Sequence, residues 1–303
     1  MKRTRARSFS NSILLNPARG RACLCAALSV ALVSVATGHA ARLHARAIIF
    51  PQASQSSLTP LQREIEKQRA RLASADVEER REAVMRLGAM ARADSSRVAV
   101  AALKDAAVIV RATATRAVLS LPAEEAAAAL LPLLADKNEF VRRETAYALG
   151  ETRSRAAVVA LATALARDKE AGVRGAAAVA LGQIGDASAV PILTEAIGRR
   201  IARSGFLNRI TFRRTEENEF VRRSAAVALG QIKSRAAVPA LIGALANERA
   251  GDDVRREAAR ALGLIGDPAA IPTLQRAVLT ARDPYLTEIA TEALRKLEPA
   301  KVG

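Results

Sequence analysis

One phrase returns along this 303-residue chain and limits what it can fold into: V-R-x-x-A-A-x-A-L-G. Near-complete copies run from Val141 to Gly150, Val173 to Gly182, Val221 to Gly230 and Val254 to Gly263. Weaker copies come first, at Arg80 to Gly88 and Val110 to Leu119, and a degenerate copy from Leu286 to Leu294 closes the series. The Arg of successive copies stands at 80, 111, 142, 174, 222 and 255, giving intervals of 31, 31, 32, 48 and 33 residues. Self-similarity at such a period marks one supersecondary unit, repeated, that can bury its apolar face only on its neighbours. The single long interval marks an insertion.

Each unit reads as a helix pair. Val173, Ala177, Ala180, Leu181 and Ile184 follow i, i+4, i+7, i+8 and i+11, which is one helical face. Gly-Asp then interrupts, and Val190, Leu193 and Ile197 supply a second apolar helix. At Gly266-Asp267-Pro268 the Gly ends one helix, the Asp caps the next and the Pro takes its first position. Pro191, Pro239 and Pro272 fall within about a turn of such a start, where proline costs least. Half the residues are hydrophobic but only 3% are aromatic, so the apolar content is mostly Ala, Leu and Val, which suits closely packed helices better than a sheet. The expected fold is all-α: an α-solenoid of about seven two-helix units. Thr59 as N-cap, Pro60 and Gln62 open a capping helix before the first unit, with Leu61, Ile65 and Leu72 on one face.

The N-terminus reads differently. A basic stretch ends at Arg21, the next charge is Arg42, and the apolar run Ala22 to Ala36 lies between them. This is the layout of a secretory signal with a small-x-small cut at Gly38-His39-Ala40. Residues 22–41 are also just long enough for an uncleaved membrane anchor, and the Arg- and Ser-rich, acid-free composition leaves a transit peptide as a third reading. The expected location is therefore exported, periplasmic or secreted, or anchored by residues 22–41. The expected boundaries are a signal or anchor at 1–45, a linker at 46–58, the solenoid at 59–299 with an insertion at 199–216, and a tail at 300–303.

These residues resemble the HEAT repeat. The pattern D-x-x-V-R-x-x-A-A-x-A-L-G-x-I-G-D-x-x-A-V-P-x-L is similar to its short form, named after the phycobilisome lyases, and the resemblance covers residues 76–297. It implies an armadillo-type superhelix with the V-R helix on the concave surface. The family spans scaffolds, chromophore lyases, di-iron hydroxylases and DNA glycosylases, so fold alone decides little about function. The hydroxylases hold iron through His-Glu pairs, and this chain has no His after His44; the glycosylases stack DNA on Trp, and it has none. Both cysteines, Cys23 and Cys25, lie in the leader, so the solenoid has neither disulfide nor thiolate metal site. The paired acids Asp252-Asp253 and Glu216-Glu217 fall at expected helix starts, where the dipole favours them. The expectation is no enzyme activity, no cofactor and no metal.

Charge points to partners. The formal net charge is +17, but residues 1–46 hold eight of the basic residues and none of the acids, leaving +9 for the rest. That favours acidic proteins, phosphate or anionic lipid without demanding nucleic acid. The motif Arg is expected to join one unit to the next by pairing with carboxylates. The solvent-facing rows of the same helix are expected to form a groove. One reads Met85, Arg116, Tyr147, Val179, Val227, Arg260 and Glu292, the other Arg81, Ala112, Arg143, Gly175, Arg223, Arg256 and Glu288. From them Arg116, Arg143, Tyr147, Arg223, Arg256 and Arg260 are the candidate contacts, because Arg grips a carboxylate in a fork. The insertion adds Arg203, Phe206, Arg209, Phe212 and Arg213, a basic-aromatic stretch for an acidic protein or anionic lipid. Two Phe are too few to stack single-stranded nucleic acid. The expected role is an extracytoplasmic protein-binding scaffold. A lyase-type chromophore- or cofactor-handling protein, or an Arg-rich DNA-binding solenoid if the chain is not exported, are the alternatives.

Overall fold

A computed structural model describes residues 58–202 and 214–297. Among these residues the fold is a right-through stack of helices. A capping helix, α1 (Pro60–Arg71), leads into six helix pairs: α2 (Val77–Ala89) with α3 (Ala93–Ala99), α4 (Val108–Ala117) with α5 (Ala123–Leu130), α6 (Glu139–Thr152) with α7 (Val158–Arg167), α8 (Ala171–Ile184) with α9 (Val190–Gly198), α10 (Glu219–Ile232) with α11 (Val238–Ala246), and α12 (Asp252–Ile265) with α13 (Ile271–Thr280). Of a seventh unit the described residues hold the first helix, α14 (Pro284–Leu297). No described helix is long and apolar enough to cross a membrane; the leader lies outside the described residues.

Local chemistry sets the helix ends as the sequence predicts. Thr59 and Gln62 close a reciprocal capping box, the Thr59 amide donating to Gln62 Oε1 at 2.8 Å and the Gln62 amide to Thr59 Oγ1 at 3.2 Å. Gly266 ends α12 in the left-handed region with φ 76°, and Asp267 accepts from the Ala269 amide at 3.0 Å. Asp267 caps a short 3₁₀ turn at Pro268–Ala270, and α13 follows from it. The same 3₁₀ step precedes α7, α9 and α11, with Pro191, Pro239 and Pro272 in the first turn of α9, α11 and α13.

The core is a line of leucines. Leu87, Leu149, Leu181, Leu229 and Leu262 from the first helices meet Leu161, Leu193, Leu241 and Leu274 from the second, and all are fully buried. Each contributes roughly 1.5–3 kcal/mol relative to exposure. First helices pack on one another far more closely than second helices do, so their row lies on the inside of the curve. Small residues permit this. The Gly that ends each motif faces the Ala two positions before the corresponding Gly on the next first helix. A Cβ at Gly150 would come within 2.7 Å of Ala180 Cα, and one at Gly182 within 2.7 Å of Ala228 Cα.

The long interval opens between α9 and α10. Its two ends form an antiparallel ribbon, β1 (Arg200–Ala202) with β2 (Arg214–Glu216), pairing Arg200 with Glu216 and Ala202 with Arg214.

Candidate interaction surface

The motif Arg and the inner row have separate jobs. Arg80, Arg111, Arg142 and Arg174 each grip an acid just before the next first helix: Asp105 at 2.7 and 2.9 Å, Asp136 at 2.8 and 3.0 Å, Asp168 at 2.7 and 3.0 Å, and Glu217 at 3.0 and 2.6 Å. Each Arg also donates to two backbone carbonyls ahead of its own helix, for Arg142 those of Asp136 and Lys137. Each acid in turn accepts a nearby amide, such as Glu170 N on Asp168 at 2.9 Å. The result is a largely shielded ladder of forked, charge-assisted bonds along one edge of the stack. Hydrogen bonds from Arg80 hold the Asp105 carboxyl below the usual range. Burial pushes Asp136 and Asp168 up, but the guanidiniums of Arg111 and Arg142, with the backbone amides, outweigh it and hold both carboxyls down.

Glu217 corrects the sequence reading of Glu216-Glu217 as a helix start. It stands ahead of α10, its side chain is fully out of solvent, and it is the acid of the fourth rung. Asp105, Asp136 and Asp168 stand five residues before the next motif Val; Glu217 stands four before Val221. The extra methylene of Glu covers the missing residue. Arg199 anchors the other root of the ribbon, donating to the carbonyls of Leu165 and Ala166 at 3.0 and 3.2 Å and to Glu195 at 3.0 Å. The sequence reading named none of the four ladder acids, since each lies in the loop of a different unit from its Arg.

On the inner row, the structure divides the predicted contacts. Arg116 is exposed and makes a loose pair with Glu151 at 3.4 Å. Arg143 lies half-buried with its guanidinium 5.2 Å above the Phe140 ring and 3.6 Å from Glu144. Tyr147 is half-buried against the core. Arg260 is exposed and pairs with Glu257 at 3.3 Å. Arg223 is likewise exposed and meets Asp253 of the next unit loosely at 3.4 Å, whereas Arg256 is tied firmly to Asp283 of the next unit at 2.6 Å. Arg256 also meets Asp253 at 2.9 Å and lies 5.2 Å over the Tyr285 ring. Arg203, Phe206, Arg209, Phe212 and Arg213 lie outside the described residues. Two positions of the expected groove are covered: Ala112 is buried, and Gly175 is buried under the Phe220 ring of the next unit, which a methyl group at Gly175 would strike.

What remains open is a trough of about 530 Å³ across α2, α4 and α6. Val84, Gly88 and Ala112 floor it, and Met85, Ile109 and Phe140 form its apolar walls. Arg81, Arg116 and Glu144 stand at its edges. Among the described residues no three His, Cys, Asp or Glu side chains are placed to hold a metal ion.

Comparison with known proteins bears on the stack itself. The model for HEAT repeats matches residues 65–150, 129–203 and 209–295, most of the chain. The chain is a HEAT-repeat protein. Its fold resembles that of Escherichia coli YibA at 21% identity and a TM-score of 0.54, covering 79% of this chain and 82% of YibA. It is looser against the CpcE–CpcF complex of phycocyanin lyase from Nostoc (23% identity, 81% and 90% covered, TM-score 0.46) and human deoxyhypusine hydroxylase (22%, 77% and 84%, 0.37). At those scores neither carries an argument. No curated protein matches the sequence of this HEAT-repeat protein.

Proposed function

We propose that this chain is a non-enzymatic scaffold, working outside the cytoplasm, whose inner row of first helices binds an acidic or extended segment of a partner protein. HEAT repeats are in general protein-interaction modules, which supports the coarser half of this reading. The finer half is carried by one observation. Four motif arginines are consumed by the ladder, yet the inner row still presents Arg116 and Arg260 to solvent beside half-buried apolar and aromatic side chains. Arg beside aromatic surface is the composition of interface hot spots. Export rests on the leader's sequence alone: basic, then uncharged and apolar, then small residues.

The test combines place and partner. A tagged full-length chain is expected in the exported or membrane fraction; cytosolic recovery at full length would remove the extracytoplasmic part. Captured partners are expected to be lost on charge reversal of Arg116 and Arg260 together, and identical partner lists from variant and wild type would remove the inner row. The insertion is proposed as a second contact. Its test is deletion of 203–213 alone, because a deletion reaching Arg199 would also cut the anchor on α7.

A further inference from the structure

The trough over α4 is a local departure from the repeat, and two features of α4 produce it. At ten residues it is the shortest first helix, between neighbours of 13 and 14. It also carries Leu119 where the strong copies carry Gly150, Gly182, Gly230 and Gly263. A Leu there cannot admit the close Gly–Ala approach made at the other joints, and α4 and α6 make the sparsest contact of any adjacent first helices. A short helix set off from its neighbour leaves a channel on the inner row. Three large apolar side chains border it, and Met85 is 53% exposed.

Its electrostatics are lopsided. Arg81 and Arg116 stand on the α2 and α4 side, and the carboxylate of Glu144 stands on the α6 side. Arg81 gives one nitrogen to Glu78 at 3.0 Å, while its Nε is shielded from water and makes no hydrogen bond. A shielded donor without an acceptor is costly, so Arg81 is held in the trough edge with part of its hydrogen-bonding capacity unmet. Arg116 holds Glu151 only at 3.4 Å in solvent, a pair weak enough to exchange.

We propose that this trough docks an acidic amphipathic segment of another protein, with one large apolar side chain seated between Met85, Ile109 and Phe140 and a carboxylate about one helical turn away on Arg81 or Arg116. The proposal rests on the inner-row reading above and gives it an address. Glu144 orients the segment, turning its acidic side toward α2 and its neutral side toward α6. This is helix-in-groove recognition, with the apolar anchor providing affinity and the fork-shaped contacts providing register.

The test uses the full chain and a library of random peptides displayed on phage. Selected peptides are expected to pair a Leu, Met, Phe or Trp with an Asp or Glu three or four positions away. Their binding, measured by fluorescence anisotropy, is expected to weaken by about tenfold or more in Met85→Glu and in Arg116→Glu, a loss expected for one central contact. Both positions are solvent-exposed, so both variants should keep the wild-type circular dichroism and melting temperature. Val159→Glu, exposed on the second-helix row and outside the proposed surface, should leave binding unchanged, and Arg260→Glu reads the inner row beyond the trough. Binders without acidic enrichment, or indifferent to both trough variants, would overturn the proposal. If they respond to Arg260→Glu instead, the trough falls and the inner row stands. If they respond only to Val159→Glu on α7, both fall.

Discussion

The first four joints of the stack and the last two carry the same motif Arg but are wired differently. From α2 to α10, the motif Arg reaches a largely shielded acid on the next unit, with Arg142 and Asp168 exposing 8% and 9% of their side chains. From α10 onward the position five residues ahead of the motif is Arg249, then Ala281, and the cross-joint pair moves to the second Arg of V-R-R. Arg223 and Asp253 expose 45% and 48%, while Arg256 reaches the better-shielded Asp283. Arg222 donates to the carbonyl of Ile197, and Arg255 donates to that of Leu245 and meets Asp252 of its own helix at 3.7 Å. The motif therefore does not dictate its use; the acid ahead of the next helix does. Moving the tie one residue along also moves it onto the inner row. Of the arginines expected to meet a partner, Arg256 is firmly held across a joint, while Arg223 keeps an exposed pair like that of Arg116.

The largest break in this comparison should come from Arg142→Met. It leaves Asp168 buried without its fork, and loss of one member of a buried pair costs about 3–5 kcal/mol. Chemical denaturation should show that loss, and the double variant Arg142→Met with Asp168→Leu should recover much of it. Next is Gly182→Val. The side chain would press on the Ala228 backbone, and overpacking of this kind costs about 1–3 kcal/mol. Gly243, with nothing near the site of a Cβ, is the control: Gly243→Ala should be harmless or slightly stabilising.

Acid should loosen the joints that rest on a carboxylate held low, those of Asp105, Asp136 and Asp168 in the first region and that of Asp283, held down by its hydrogen bond from Arg256, in the second. The folded carboxyls of Asp105, Asp136 and Asp168 lie below their unfolded values, so the stability they contribute is full above about pH 4 and is lost as pH falls through the lowered values. Hydrogen exchange at falling pH should show protection of α4–α8 declining as these acids protonate, and the Arg142/Asp168 double variant should flatten that decline. The smallest effect belongs to Arg223→Ala, which removes a solvent-exposed pair worth no more than about 1 kcal/mol. A loss as large as that of Arg142→Met would erase the distinction between the two sets of joints.

Much of the fold was legible because helix pairs announce themselves locally. The Thr59 capping box, the Gly266-Asp267-Pro268 junction and the Val173-to-Ile184 face each rest on residues within a few positions of one another. The candidate surface was legible only in part, because a helical face drawn from one segment ignores what the next unit lays over it. Gly175 lies on that face, yet Phe220, 45 residues later, covers it. Arg116 and Arg260 read correctly as exposed because no neighbouring side chain reaches over them. The ladder acids escaped because each lies in a loop 25 to 43 residues from its Arg, beyond any local pattern. The trough escaped because it depends on what α4 lacks, a final turn and a Gly at position 119, rather than on any residue it gains.

The central claim is that partners meet this protein on the inner row, at the trough. Placing a benzophenone amino acid singly at Met85, Val179 and Val159 of the full chain, then irradiating it in the presence of a selected acidic peptide, tests this most directly. Adducts are expected from Met85 and none from Val159 on the second-helix row. Adducts from Val159 with none from Met85 would contradict it.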